Sequence, residues 1–364
     1  MGCRVVSLGD VIQLEDSKRQ PLSSRERDGR KGGYPYYGAQ GVVDYLDDYT
    51  YEGDYLLVAE DGENLRSRKQ PIANAARGRF RVNNHAHVIA ATKRCNLTYL
   101  RHLLNSMDIS AYVTGSTQPK LSQTSLLNMK VELPEIDKQD AIAAFLHCFD
   151  AKVAANAKLN GYLEELARAI VQHSFPGCHG GNDSVGNYVE PKRGRTLLSK
   201  NAIPGEVPVV AGGLKPAILH NESNTLPPVL TISSSGANAG YVGLWGIPVW
   251  SSDSSFIDSS ISEDVYFWYT VLSMRQNEIY DAQTGSAQPH IYPQQIKELP
   301  IAPIDDKLIK RLNEKIVPLY ETISANKIES KKLADLRDAL LPKLMSGEID
   351  VSKVDLTQIN SHLA

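Results

Sequence analysis

The sequence predicts an α+β protein in which two loop-rich α/β domains are separated by two long antiparallel helices forming a coiled coil, as a pseudo-two-fold tandem repeat. The main observation is a repeated segment, which reads TGSTQP at residues 114–119 and TGSAQP at residues 284–289, 170 positions later. Each copy is followed by an apolar stretch that ends in a proline and then by a long helical pattern. The length of 364 residues is sufficient for two domains with separate cores.

The sequence pattern divides the chain into six segments. These are a globular domain at 1–134, a long helix at 135–176, a linker rich in Gly, Asn and Ser at 177–187, a second globular domain at 188–302, a second long helix at 303–347, and a polar tail at 348–364. In the first domain the pattern predicts strands at 55–59, 79–82 and 87–91 and a helix at 96–106. The second domain has the same rhythm, with a strand at 229–232 and a helix at 265–273.

Apolar residues recur every seven positions in both long helices, which is typical of a coiled coil. One series is Ile142, Phe149, Asn156, Leu163 and Ile170, and the other is Leu312, Leu319, Asn326, Leu333 and Leu340. An asparagine occupies the equivalent site of each series, and a buried asparagine fixes helix register because it needs a polar partner. We therefore expect Asn156 and Asn326 to approach each other across an antiparallel pair; the alternative is that each is tolerated near solvent.

The predicted length of these helices suits them to fix the distance between the two globular domains. A helix of about 37 residues spans about 55 Å at 1.5 Å per residue, which exceeds one turn of B-DNA. Two such helices side by side would hold the globular domains at opposite ends, a fixed distance apart. Inserting a heptad should then change that distance and leave each domain's own ligand contacts intact.

Bulk composition indicates an ordinary globular protein without a membrane segment. No apolar run reaches the length needed to span a bilayer, and the N-terminus has no long apolar region, so we expect no membrane association and no secretory signal. The four cysteines are scattered without a C-x-x-C pair, which favours a reducing, cytoplasmic location. The net charge is −3, so if the chain binds DNA, we expect partner proteins to neutralise many of the phosphates.

Catalytic motifs are missing from the sequence. It contains no phosphate-binding Gly-x-x-x-x-Gly-Lys-Ser/Thr loop and no Asn/Asp-Pro-Pro-Tyr/Phe of the kind found in adenine methyltransferases. Glu329-Ser330-Lys331 resembles half of a nuclease motif, but it lies on the helical pattern without a partner aspartate. The nine histidines do not cluster at metal-ligand spacing. We therefore expect a non-catalytic chain that binds no metal and no cofactor of its own.

Three sequence features together resemble the specificity (S) subunit of type I restriction-modification systems, the HsdS family. They are the duplicated Gly-Ser-x-Gln-Pro segments, the Leu-Pro-Glu-Ile-Asp-Lys-Gln-Asp-Ala-Ile sequence at 133–142, and the closing Leu-Pro-Lys-Leu-Met-Ser-Gly-Glu-Ile at 341–349. The resemblance covers almost the whole chain. It departs where the second helix begins with Ala-Pro-Ile-Asp-Asp-Lys-Leu-Ile, which lacks the glutamine that Gln139 supplies in the first.

The resemblance implies that each globular region is a target-recognition domain that reads one half of a split target in double-stranded DNA. The long helices would be the spacer regions, which set the gap between half-sites and dock two methyltransferase subunits. Those subunits would bind S-adenosylmethionine and methylate adenine, and restriction subunits with an ATP- and Mg-dependent motor could join. The chain itself would be non-catalytic and part of host defence.

Side-chain chemistry indicates the candidate DNA-binding residues, since arginine suits guanine and phosphate, lysine suits phosphate, and hydroxyl and amide groups suit base edges. In the first domain they are Arg25, Arg27, Arg30, Lys31, Arg66, Arg68, Lys69, Arg77, Arg79, Ser116 and Gln118. In the second domain they are Lys192, Arg193, Arg195, Lys215, Ser234, Asn238, Tyr241, Ser286 and Gln288. Two other interpretations stay open: the cations form solvated basic loops, and the repeated TGSxQP segments are structural turns.

Two further functions compete with DNA-target selection. One is a scaffold or regulatory protein that binds DNA or protein without any methyltransferase; an S subunit, in contrast, should co-purify with a larger partner at one copy per two partners. The other is a nuclease or single-chain methyltransferase, which the missing motifs disfavour. Exchanging the first domain should change one half-site only.

Overall fold

The computed structural model describes residues 4–216, 218–285, 288–351 and 354, and the chain divides into two compact units. The first unit comprises residues 1–152 and 333–364, and the second comprises residues 153–332. Both mix helices with mostly antiparallel sheets, each unit having one parallel strand pair, which confirms the α+β class. No helix among the described residues combines the length and apolar character needed to cross a bilayer.

The first unit is built around a six-stranded sheet. The strands of the whole unit are β1 (Arg4–Ser7), β2 (Gln13–Leu14), β3 (Lys31–Gly38), β4 (Gly41–Leu46), β5 (Tyr51–Ala59), β6 (Ala73–Val82), β7 (Ala86–Ala90) and β8 (Lys130–Leu133). Its helices are α1 (Ser24–Asp28), α2 (Asn64–Ser67), α3 (Leu97–Ser106), α4 (Gln123–Asn128) and the start of α5 (Ile136–Ser174). The sheet order is β2-β7-β5-β6-β3-β4, and β1 pairs with β8 separately.

The second unit has smaller sheets. Its strands are β9 (Asp183–Ser184), β10 (Lys192–Arg193), β11 (Val207–Val210), β12 (Ile218–His220), β13 (Val229–Ser233), β14 (Val242–Trp245), β15 (Trp250–Ser251), β16 (Ser254–Asp258) and β17 (Pro300–Ile301). Its helices are α6 (Val265–Met274), α7 (Gln276–Asp281), α8 (Pro293–Lys297) and most of α9 (Asp306–Ser346). The sheet orders are β10-β16-β13-β14 and β12-β11-β15, and β17 pairs with β9.

A common four-stranded antiparallel arrangement accounts for the repetition in the sequence. The order β2-β7-β5-β6 in the first unit corresponds to β10-β16-β13-β14 in the second. In each unit the strand that precedes the long helix, β8 or β17, pairs with a short strand near the start of that unit. The repeated segments therefore lie at equivalent points of two related folds, although the first sheet also carries β3 and β4.

Each unit buries part of both long helices in its own hydrophobic core. In the first unit, Ile142 and Leu146 of α5 and Leu341 and Leu344 of α9 pack in the core around β5 and α3. In the second unit, residues near the end of α5 and the start of α9 pack against α6, where the rings of Tyr266 and Tyr320 stack at 5.3 Å. Of the ten heptad positions, Ile142, Phe149, Asn156, Leu312 and Leu333 are buried and the other five are half-buried.

The two seam asparagines have polar partners on the opposite helix. The Asn156 amide, which is buried, donates to the Glu329 carboxylate at 2.7 Å and to the Ser330 hydroxyl at 3.2 Å, and lies 3.5 Å from the Asn326 main-chain oxygen. Asn326 donates to the Asn160 side chain at 2.8 Å. The asparagines are thus satisfied by neighbouring polar groups instead of by pairing their own amides.

At one equivalent position near the start of the two long helices, the residue is Gln139 in the first and Ile309 in the second. Gln139 is buried, where its Oε1 accepts from the Asn96 main-chain N–H at 3.0 Å and its Nε2 donates to the Arg94 and Pro134 carbonyls at 3.1 and 2.9 Å. The equivalent residue 170 positions later is Ile309, which is buried in the apolar core of the second unit.

Residues 177–187, expected to be a linker, contain β9, and Cys178 and Val185 in this segment are fully buried.

Candidate nucleic-acid interface

The repeated TGSxQP segments form two loops closed by the same main-chain hydrogen bonds. In the first loop, Thr114 and Lys120 exchange N–H···O bonds of 2.8 Å, and Thr284 and His290 exchange bonds of 2.9 and 2.8 Å in the second. The proline carbonyl of each copy accepts from a glycine N–H at 3.1 Å, from Gly62 in one unit and from the glycine at position 236 in the other. The sequence repeat is therefore also a repeat of hydrogen-bond geometry.

Glycine is required inside both loops. Gly115 has φ +84° and Gly285 has φ +90°, a region that residues with a side chain rarely adopt. A Cβ atom added at these positions would lie 2.1 Å from the Gln118 main-chain oxygen and 2.6 Å from that of Gln288. Both loops are therefore well-defined turns, and this structural role explains their threonine, glycine and proline.

Arg66 belongs to the first loop. Its guanidinium donates to the Ser116 carbonyl at 2.8 Å and also to the Gly115 carbonyl. The Ser116 and Gln118 side chains themselves are exposed. Arg66 is itself exposed, and its two hydrogen bonds fix the main-chain shape of the loop.

Many of the predicted basic residues of the first domain are neutralised by carboxylates. Arg27 and Lys31 both pair with Asp44, at 3.0 and 2.8 Å, and the hydrogen bonds from Lys31, from the Tyr45 main-chain N–H and from Arg27 lower the pKa of that carboxyl to about 2. Arg30 pairs with two aspartates in the loop after β4, which raises its pKa. Arg79 pairs with Glu52 at 3.0 Å. These ion pairs reduce the positive charge available for phosphates.

Arg68 has a structural position. Its main chain is left-handed, with φ 53°, and its half-buried guanidinium donates to the Leu104, Asn105 and Met107 carbonyls at 2.9, 2.8 and 3.2 Å. These are the free carbonyls at the end of α3, which an arginine can cap. Burial lowers the pKa of the Arg68 guanidinium.

Three predicted cations of the first domain, Arg25, Lys69 and Arg77, are exposed and have neither an ion-pair partner nor a side-chain hydrogen bond among the described residues. Arg77 lines a cavity of about 380 Å³ together with Lys93, which the sequence reasoning missed. Arg94, also missed, is exposed beside it in the turn before α3. The only sequence signal was the Lys-Arg pair at the end of a strand pattern, which is weak alone.

The second domain presents cations on aromatic rings. The Arg195 guanidinium lies 4.4 Å from the centre of the Trp250 ring, and Arg193 lies 5.6 Å from that of Tyr292. Lys192, on the same strand as Arg193, and Lys215 are exposed. Stacked arginines keep their charge and lose side-chain freedom, which suits anion or base contacts.

The polar candidates of the second domain differ in accessibility. Ser234 is buried, and its main chain hydrogen-bonds to Asp253 and Ile291, so it supports the loop and offers little to a ligand. Asn238 and Tyr241 are half-buried in the following turn, and Gln288 is exposed. Ser286 lies outside the described residues.

One group of metal-ligand side chains is satisfied internally. Ligand atoms of Asp16, Glu60 and His87 lie within 4.8 Å of one another. Arg19 pairs with both carboxylates, at 3.3 and 2.7 Å, and the His87 ring contacts Asp16 at 2.6 Å and the Leu121 carbonyl at 2.9 Å. The arginine supplies the positive charge that a cation would bring, so this group carries no argument for a metal.

Comparison with known proteins adds a family to this geometry. Residues 2–165 match the family described as type I restriction modification DNA specificity domain. S.HindORF215P of Haemophilus influenzae, which bears the name of a type I restriction enzyme specificity subunit, is 32% identical over 144 residues, or 40% of this chain and 36% of that protein. The EcoprrI specificity subunit of Escherichia coli is 27% identical over 168 residues, or 44% and 39% of the two chains. The matches thus span less than two fifths of these relatives.

A solved structure extends the likeness to both halves. The S subunit of the type I restriction-modification system from M. genitalium superposes with a TM-score of 0.59 at 18% identity, covering 94% of this chain and 96% of that one. At this level of identity the likeness concerns the fold alone. It includes the second unit, of which the family match covers only residues 153–165.

Proposed function

We propose that the chain is a specificity subunit of the type I restriction-modification family, which residues 2–165 match, and that it binds double-stranded DNA and selects a bipartite target, with one domain for each half-site. The chain acts as a non-catalytic subunit. Its exposed and ring-stacked cations, Arg77 and Lys69 in the first domain and Arg193 and Arg195 in the second, contact the DNA.

The observation that carries this proposal is the pair of equivalent loops. Two related four-stranded sheets each hold a loop with the same closing hydrogen bonds, while the surrounding side chains differ. The first domain offers free cations and the extra β3–β4 hairpin, and the second offers arginines on aromatic rings. A shared framework with different exposed groups is what two readers of different sequences require.

Partner subunits complete the activity in this proposal. Two methyltransferase subunits dock on the chain's long helices, bind S-adenosylmethionine and methylate adenine, and restriction subunits that use ATP and Mg are further candidates. The chain itself holds no cofactor. Its net charge of −3 and the many arginines already paired with carboxylates support a shared DNA clamp.

A domain exchange tests the two-reader proposal. Residues 1–133 are replaced by the corresponding domain of another specificity subunit, and methylated adenines are mapped in cells that express the complex. We expect one half of the methylated motif to change and the other half and the gap to stay the same. An unchanged motif, or a change in both halves, contradicts the proposal.

Co-purification separates this function from that of a scaffold without methyltransferases. A tagged chain should recover a methyltransferase at two copies per chain, and the isolated chain should not bind S-adenosylmethionine. Recovery without any methyltransferase would favour the scaffold instead.

A further inference from the structure

The glutamine side chain of each repeated loop has no structural partner among the described residues. The positive φ values account for the glycine of each copy, and the threonine hydroxyl donates to the carbonyl of the residue that closes the loop, at 3.3 Å in the first copy and 3.4 Å in the second. Gln118 and Gln288 enter the loop only through main-chain atoms, which any residue supplies. Both side chains are exposed, and the described part of the chain offers neither amide a hydrogen-bond partner. The same amide nevertheless stands at the same place in both units.

A positive charge accompanies each of these amides. Beside the first loop, Arg66 is bonded only to neutral carbonyls, and the Lys120 side chain is half-exposed at 3.5 Å from Glu60. Beside the second loop, the His290 ring stacks on Tyr292 at 6.0 Å, and Arg193 lies over the same tyrosine. Lys120 and His290 close the two loops at equivalent positions, whereas the arginines come from different elements, Arg66 from α2 and Arg193 from β10.

We propose that Gln118 and Gln288 donate hydrogen bonds to phosphate groups of the DNA backbone, one in each half-site, with the neighbouring cations adding attraction. This inference rests on the proposed function. It assigns these residues to positioning of the DNA and not to reading of its sequence.

The ligand must be common to both half-sites, because the glutamine is common to both units while the surrounding side chains are not. Bases differ between two half-sites, but the sugar-phosphate backbone does not. An amide N–H beside a guanidinium or imidazole suits an anionic oxygen acceptor. These observations favour phosphate over a base edge.

The test uses the complete complex of the chain with its methyltransferase subunits, and measures affinity for a cognate and a scrambled duplex at several salt concentrations. The variants are Gln118→Ala, Gln118→Glu and the double variant Gln118→Ala/Gln288→Ala. Thr117→Ala is the matched control, because the second copy already has alanine at this place. Melting temperature and recovery of the methyltransferase subunits are measured for each.

We expect Gln118→Ala to weaken binding of both duplexes by the same factor, about three- to tenfold, as for loss of one hydrogen bond. The double variant should lose roughly the square of that factor, since distant sites add in free energy. Gln118→Glu should lose more, and most at low salt, because it repels phosphate. Thr117→Ala should bind as the wild type does.

Three results would overturn the inference. They are a loss confined to the cognate duplex, which indicates base contact; a loss of methyltransferase recovery, which indicates a protein contact; and a lower melting temperature at unchanged affinity, which indicates a purely structural turn. If the wild-type complex shows no target preference, the proposed function itself fails. If it shows one and the glutamine variants bind equally well, only the phosphate contact fails.

Discussion

Arg68 and Arg77 look alike in the sequence, yet the structure gives them opposite roles. Both belong to the stretch of residues 66–81 in the first domain, which is rich in arginine. Arg68 is half-buried and bonded to three carbonyls at the end of α3, whereas Arg77 is exposed and has no ion-pair partner among the described residues. Arg68→Ala should therefore reduce stability, and Arg77→Ala should reduce DNA affinity.

The magnitude for Arg68 follows from its contacts. One terminal nitrogen with two protons serves carbonyls at 2.9, 2.8 and 3.2 Å, and hydrogen bonds to charged groups contribute about 1.5–3 kcal/mol. Allowing for partial exposure, we expect Arg68→Ala to cost about 2–3 kcal/mol. Arg68→Gly should cost about 1 kcal/mol less, because glycine relieves the left-handed conformation at φ 53°.

The assay combines thermal unfolding with DNA binding for matched variants. A loss of 2–3 kcal/mol corresponds to a melting temperature lower by about 4–12 °C for a unit of this size. Arg77→Ala, as the control, should leave the melting temperature unchanged, weaken cognate and non-cognate DNA alike, and reduce the salt slope by about 0.9. The reasoning is refuted if Arg68→Ala lowers DNA affinity at unchanged melting temperature, or if Arg68→Gly is the less stable of the two.

Three further predictions concern stability. Burial, followed by the charge of Arg101, lowers the pKa of His102 to about 4; the unfolded chain therefore binds the extra proton, and stability should fall by about 2 kcal/mol from pH 6.5 to pH 5. Denaturant unfolding across this range should show a flatter profile for His102→Gln, and an equal profile would contradict the assignment. Asn156→Ala should cost about 1–2 kcal/mol, because its polar partners on α9 lose their donor; a change below about 0.5 kcal/mol in denaturant unfolding would show that the seam does not depend on it. Gly115→Ala should destabilise more than Gly78→Ala, since both have positive φ but only the first Cβ meets main chain; equal melting temperatures would refute this.

Sequence patterns predicted those parts of the fold that depend on local periodicity. The heptads gave both long helices to within a few residues, and alternating apolar runs located β13 and the helix α6. The β3–β4 hairpin was not predicted, because its glycine- and tyrosine-rich strands lack a regular apolar alternation. The segment that contains β9 was assigned to a linker because its glycines and asparagines are typical of loops, whereas the half-buried β9 depends on pairing with the distant β17.

What the sequence determined by itself was repetition and class: two copies of TGSxQP at one offset, two heptad series, and no catalytic motif. Only the tertiary structure decided which cations remain available. Charge is a property of the residue type, so the arginines can be counted from the sequence alone. Whether Arg27 meets Asp44, Arg68 meets the end of α3, or Arg193 rests on Tyr292 depends on contacts between residues far apart in the chain, and those contacts exist only after folding.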